Sequence, residues 1–267
     1  MPAEALQFRS YGRSGPVVVL LHGGPGAPGL IQLARGLEDA FHVLEPFQRG
    51  SGGVPLSVEL HVADLDEFLA THCRDRRPAL VGHSWGAMLG LAYAAAHPDT
   101  ASSLALVGCG TFDPTARRRL EEVRDERIGE DLQRRLATLA DEITDVGERL
   151  KRRHELTMHT ESVDLIEPEA PGEVDGVANR QTWDDMVRLQ ADGTYPAAFA
   201  AIQVPVLMLH GSFDPHPGAM IRDSLVPHIP QIEYREWERC GHYPWLERAA
   251  HREFFRVLHE WLGSPPG

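Results

Sequence analysis

Three residues of this chain have the types and the order to activate a hydroxyl group: Ser84, Asp214 and His242. A serine hydroxyl is a weak nucleophile at neutral pH. It needs a general base, and the base needs an acid to orient it. Ser84 is the centre of Gly82-His83-Ser84-Trp85-Gly86. The apolar run Pro78-Ala79-Leu80-Val81 precedes it, and a small-residue helical stretch, 87–96, follows. A Gly-x-Ser-x-Gly between a strand and a helix is a nucleophile elbow. The turn is strained, its glycines avoid collisions with neighbouring elements, and the hydroxyl stands at a helix N-terminus. The plainer reading is a glycine-rich turn with a capping serine. The pattern occurs once in the chain.

Asp214 follows the apolar run Val204–Leu209 and the turn His210-Gly211-Ser212-Phe213. His242 follows Ile232–Trp237 and Gly241 in the same manner. The order serine, acid, histidine is the one this architecture uses. All three residues then sit at carboxyl ends of strands, on the edge of the sheet where open α/β folds bind ligands. The chain has 14 histidines, so it is position that singles out His242. Asp113 is a rival for the acid, because it also closely follows a strand. An oxyanion needs donors, and the backbone amides of Trp85 and Gly24 are placed to supply them. Gly24 belongs to His22-Gly23-Gly24, whose glycines let the backbone approach a substrate.

The same loop admits a competing reading. Gly24-Pro25-Gly26-Ala27-Pro28-Gly29 spells Gly-x-Gly-x-x-Gly after a strand, with Glu45 near the place of a ribose-binding acid. Two prolines inside the loop remove amide donors that a pyrophosphate would use. That reading also leaves Ser84, Asp214 and His242 without a role.

The elements that position these residues read as follows. Residues 5–11 alternate and suit an edge strand. Val17–Leu21 is continuously apolar and β-branched, as in a strand buried on both faces. A helix over Leu30–Asp39, a strand over Phe41–Phe47, a helix over Val58–Cys73 and a strand at Leu104–Val107 complete the first half. This alternation predicts an α/β fold with a mostly parallel central sheet, right-handed crossovers and flanking helices. No convincing strand occurs between Phe112 and Ala201. Asp113-Pro114 starts a helix there, with Asp as cap and Pro at the first position. Leu132, Leu136, Leu139, Ile143, Val146 and Leu150 make one apolar helix face. Residues 161–185 are acidic, including Glu161, Glu169, Asp184 and Asp185, and a short helix around Trp183–Leu189 ends the region. The sheet pattern then resumes, and Phe254, Phe255, Leu258, Trp261 and Leu262 form one face of a closing helix. The division expected is a core of 1–111 and 202–267 and a helical cap of 112–201.

Composition narrows the partners. The 267 residues, 42% of them apolar, are enough for one large α/β domain. A formal charge of −13 disfavours nucleic acid and anionic membranes. Three scattered cysteines, Cys73, Cys109 and Cys240, form neither a disulfide framework nor a zinc spacing, so no metal is expected. The N-terminal residues lack the basic and apolar regions of a secretory signal, and a cytoplasmic location is the expectation.

Taken together, His22-Gly23-Gly24-Pro25-Gly26, Gln48-Arg49-Gly50-Ser51-Gly52, Glu59–Leu69 and Ser84-Trp85-Gly86 make the chain resemble the α/β-hydrolase superfamily, and within it the proline iminopeptidase family. Phe47 stands where that family usually has Asp, and His83 where it usually has Gly. Gly241-His242-Tyr243-Pro244-Trp245 looks more like esterase and haloperoxidase relatives. The resemblance implies an α/β-hydrolase fold, a cap over the site, no cofactor, and cleavage of an N-terminal proline from a short peptide. A buried ammonium needs a carboxylate partner. Glu161, Asp184 and Asp185 are the candidates, with Trp183 as an aromatic wall. The alternatives are a carboxylesterase or lactonase acting on uncharged small esters, and a hydrolase-like protein that only binds a ligand.

Overall fold

The structure is a computed structural model that describes residues 5–26, 29–74, 76–167 and 173–264. Its centre is a seven-stranded sheet built from β1 (Phe8–Tyr11), β2 (Val17–Leu21), β3 (His42–Pro46), β4 (Ala79–His83), β5 (Ser103–Val107), β6 (Val206–Gly211) and β7 (Ile232–Trp237). The spatial order is β1-β3-β2-β4-β5-β6-β7. Only β1 runs antiparallel, along β3, and the other pairings are parallel.

Strand periodicity divides the core into two layers. Val17, Val19 and Leu21 face one layer with Leu80, Leu104, Leu106, Val206 and Met208. Val18 and Leu20 face the other with Val81, Ala105, Val107, Leu207 and Leu209. Side chains of a strand alternate between faces, so a strand covered on both sides must be apolar throughout. The first layer is closed by α2 (Val58–His72) and α3 (Trp85–Ala96), the second by α1 (Ile31–Arg35) and α9 (His251–Gly263). Each fully buried leucine of these layers contributes roughly 1.5–3 kcal/mol of transfer free energy. The expected edge strand is β1. The expected helix over Leu30–Asp39 is shorter, because its regular turns end at Arg35.

Between β5 and β6 lie α4 (Pro114–Arg127), α5 (Glu130–Glu142), α6 (Val146–Glu161), α7 (Gly176–Ala191) and a single 3-10 turn, Ala197–Ala201. Among the described residues this insertion holds no strand, only a one-residue bridge from Leu165 to Glu247. The apolar stripe from Leu132 to Leu150 does not form one helix. It breaks at Ile143–Asp145, where the Asp145 side chain accepts a hydrogen bond from the Glu148 amide at 2.8 Å and caps α6. A cap aspartate ends one helix and begins the next more decisively than a continuous stripe extends it. The helix around Trp183 runs the full 16 residues of α7, and α8 (Gly218–Leu225) was not foreseen. No described helix is long and apolar enough to cross a membrane.

Candidate active site

Ser84 is one of three non-glycine described residues with positive φ; its φ is 54° and its ψ −117°. L side chains avoid this region, and the surrounding structure enforces it. Its amide donates to Val107 O on β5 at 2.8 Å. The flanking glycines are obligatory. A Cβ on Gly82 would lie 2.3 Å from Gly86 O, and one on Gly86 would lie 1.9 Å from Leu21 O. The turn is therefore clamped between β2, β5 and α3, and it sets the serine at the first turn of α3.

Asp214 and His242 come from the loops after β6 and β7. The His242 Nδ1–H donates to Asp214 Oδ2 at 2.7 Å, with both side chains buried. Gly108, at φ 55°, makes room for this ring: a Cβ there would meet His242 Nδ1 at 2.9 Å. Ser84 and His242 line the same cavity. Asp113 is elsewhere employed. It caps α4, accepting from the Thr115 and Ala116 amides at 2.9 Å. Burial alone would lower the His242 imidazole. The charge and hydrogen bond of Asp214, helped by Glu161, outweigh burial and hold it above the ordinary imidazole range. Burial would likewise raise Asp214, but His242 and His216 hold its carboxyl well below the usual range. An ionised Asp214 beneath a basic His242 is the electrostatic arrangement that a serine nucleophile requires.

Several supporting residues escaped the sequence reading. His216 donates from Nδ1 to Asp214 Oδ1 at 2.8 Å, and its ring stacks on His242 with centroids 4.7 Å apart. Its own amide donates to the same oxygen at 2.9 Å. Both carboxylate oxygens of Asp214 are thereby fixed. His83 donates from Nε2 to His242 O at 3.0 Å and packs edge-on against Trp245. That contact gives His83 a physical use beside the elbow. Buried Glu247 accepts from the Gly241, Val163 and Asp164 amides at 2.8–2.9 Å. The signal for His216 was its place two residues after Asp214, and for His83 its place beside Ser84.

The loop after β2 is also locked. His22 donates from Nδ1 to Gly23 O at 3.0 Å and accepts at Nε2 from the Gln48 amide at 3.1 Å. Burial pushes its pKa down to about 4, so it stays neutral and keeps this tautomer. Gly24, at φ 44°, lines the cavity. Trp85 is the first residue of α3, where an amide has no acceptor within its own helix. Its indole Nε1–H donates to Gln48 Oε1 at 2.7 Å, which ties the two loops together. The dinucleotide reading fails here. Glu45 is fully buried and accepts from the Leu30 amide at 2.8 Å and from Tyr11 Oη at 3.2 Å, so it faces no ribose site. Ala27 and Pro28 of that loop lie outside the described residues.

The cavity measures about 600 Å³, and both the core and the insertion line it. Of the four residues expected to contact substrate, Glu161 and Trp183 line it. Trp183 stands edge-on to Trp85 at 5.7 Å. Glu161 is buried and pairs with Arg124 at 2.9 Å. Asp184 and Asp185 are not brought to the cavity. Asp184 is exposed, and Asp185 accepts from the Val58 amide at the start of α2 at 2.8 Å and pairs with Arg188. Glu169 lies outside the described residues. Among the described residues, Asp214, His216 and His242 form a cluster with the types to hold a metal ion. Its two histidine Nδ1 atoms donate to the carboxylate, and these hydrogen bonds hold the three side chains together.

A sequence profile described as the alpha/beta hydrolase fold matches residues 16–249. The chain belongs to that family. It is 26% identical to a proline iminopeptidase of Lactobacillus helveticus over 92% of this chain and 90% of the relative. Among solved structures, VinJ superposes with a TM-score of 0.70 at 23% identity, over 97% of this chain and 94% of the other. A thermophilic esterase from Thermogutta terrifontis gives a TM-score of 0.63 at 24% identity, over 97% and 93%. The chain is thus an α/β hydrolase that resembles proline iminopeptidases, and the family's hydrolytic activity is its own.

Proposed function

We propose that this protein is a serine hydrolase that cleaves an ester or amide bond of a small substrate through an acyl-enzyme. Ser84 Oγ attacks the carbonyl carbon as His242 takes its proton. The Gly24 and Trp85 amides hold the oxyanion, and Asp214 stabilises the imidazolium. His242 returns the proton to the leaving group, which departs as an alcohol or amine. Water then attacks the acyl-enzyme by the reverse sequence of proton transfers and releases the acid. In this reading the insertion 112–201 is a cap that shapes the acyl pocket through Trp183 and Glu161. The observation that carries it is a serine forced to φ 54° on the same cavity as a histidine held by a buried aspartate. Of the relatives' activities, an iminopeptidase-like reaction needs a carboxylate for the substrate amine, whereas an esterase-like or lactonase-like one does not. The test is labelling with a fluorophosphonate together with turnover of aryl esters, lactones and aminoacyl arylamides. Labelling confined to Ser84, and loss of turnover by several orders of magnitude in Ser84→Ala, are expected. Ligand binding without turnover of any member of the panel would refute the proposal.

A further inference from the structure

We infer that this site is built for an uncharged acyl group, as in simple esters and lactones, and discriminates against a free α-ammonium, with Arg124 as the specificity-determining residue. The inference rests on the serine-hydrolase reading of the same cavity. In an aminoacyl substrate the ammonium nitrogen lies about 2.5 Å from the carbonyl carbon, by standard bond lengths and angles. The carbonyl carbon must sit at Ser84 Oγ, so the ammonium would be held in the buried part of the cavity, beside His242. There it needs an unclaimed carboxylate, because a buried unpaired cation is strongly disfavoured.

Among the described residues that line the cavity, the carboxylates are Glu121 and Glu161. Glu121 is exposed on α4, where water screens it. Glu161 is buried and adjoins the catalytic loop: its backbone O accepts from the His242 amide at 2.7 Å. Its side chain lines the cavity, but its charge is already met. Arg124 Nη2 donates to Glu161 Oε1 at 2.9 Å, and Arg124 Nε is buried with no acceptor. An incoming ammonium would face a neutralised pair and a guanidinium with a donor to spare. Half-buried Arg117 also lines this cavity and adds positive charge, while Arg153 is exposed and screened like Glu121. His242 itself becomes cationic in the transition state, which opposes a neighbouring ammonium further. An acyl group without the amine meets none of this opposition.

The experiment compares p-nitrophenyl propionate with the p-nitrophenyl ester of alanine at pH 6, with spontaneous hydrolysis subtracted. The two substrates differ only by the ammonium group. The wild type should favour propionate by at least about 100-fold in kcat/KM, the lower end of the scale set by leaving a buried charge unpaired. Acetylating the alanine amine should restore most of the rate, which separates charge from size. Arg124→Gln frees Glu161 and should narrow the ratio by roughly tenfold or more. Adding Glu161→Gln in that background should widen it again. A wild type that turns over the alanine ester as well as propionate overturns the inference, even if no Arg124 variant folds. So does a ratio unmoved by Arg124→Gln in a folded, esterolytic variant. Absence of both Ser84 labelling and ester turnover would instead bring down the hydrolase reading, and this inference with it.

Discussion

Replacing Ser84 by glycine should stabilise the protein while abolishing turnover. The backbone at Ser84 is fixed at φ 54° and ψ −117° by the packing of Gly82 and Gly86 and by the amide bond to Val107 O. A side chain in such a region costs about 1–3 kcal/mol, and glycine removes most of that strain. Glycine also loses more freedom on folding, a penalty of about 0.5–1 kcal/mol. The net effect is about 1 kcal/mol in favour of glycine. Ser84→Ala is the right reference, because it removes the hydroxyl but keeps the Cβ and hence the strain. The hydroxyl makes no capping bond at the start of α3, so its loss is common to both variants and small. At about 2.1 cal/mol/K per residue, a chain of 267 residues converts 1 kcal/mol into about 2 °C of Tm. Scanning fluorimetry and urea unfolding of the two variants measure the difference. At most exposed or helical sites alanine is the more stable of this pair, so the sign is diagnostic. Ser84→Ala matching or exceeding Ser84→Gly in stability would show that the elbow stores no strain.

The remaining expectations concern the proton path. His242 must be neutral to act as base and is held above the ordinary imidazole value, so log kcat/KM should climb with pH and level off above a midpoint higher than about 6.5. Glu161→Gln removes a negative charge that raises His242 and should move this limb to lower pH. A limb already flat down to pH 5 contradicts a histidine base. Asp214→Asn should cost about 10⁴-fold in kcat, because the amide presents the wrong partner to Nδ1. Asp113→Ala should leave kcat nearly unchanged and cost about 1 kcal/mol of stability, measured by urea unfolding, through the lost α4 cap.

What could be read from the sequence depended on how local its cause is. The elbow is legible because its constraints act within five residues, Gly82 to Gly86, and admit few residue types. The strands are legible because burial on both faces forces continuous apolar runs such as Val17–Leu21. The pairing of Asp214 with His242 is legible from chain order and from their glycine turns. The residues that brace them are not. Glu247 gathers amides from Val163 and Asp164, more than eighty positions away, and one glutamate among 39 acidic residues carries no sign of that duty. His216 is one histidine among 14. Acidic density does not mark substrate contacts in this chain. Asp185 was drawn to the α2 N-terminus, where an unpaired amide and the helix dipole favour a carboxylate, and not to the cavity. Helical periodicity likewise joined α5 and α6, because an apolar stripe carries no information about the cap that interrupts it.

The junction at the end of α6 explains why substrate preference and catalytic geometry should be hard to change separately here. Residues 160–164 are tied to the loops that carry His242 and Asp214, the proposed base and acid, directly in the first case and through Arg127 in the second. The His242 amide donates to Glu161 O, and Glu247 holds Gly241 with Val163 and Asp164. Gly241 is packed so closely there that a Cβ would lie 2.1 Å from Glu161 O. On the other side Arg127 donates to Thr160 O and to Phe213 O, both at 2.7 Å, and lies over the Phe213 ring next to Asp214. The segment that presents Glu161 to the cavity is therefore the segment that fixes the backbone of His242 and is bridged by Arg127 to the loop of Asp214. A change in the insertion that shifts this segment moves the base with it. A change confined to a side chain, as at Arg124, leaves those backbone bonds in place. Substrate choice is on this account most readily altered through side-chain charge at the pocket wall, with the main-chain lattice between insertion and core left intact.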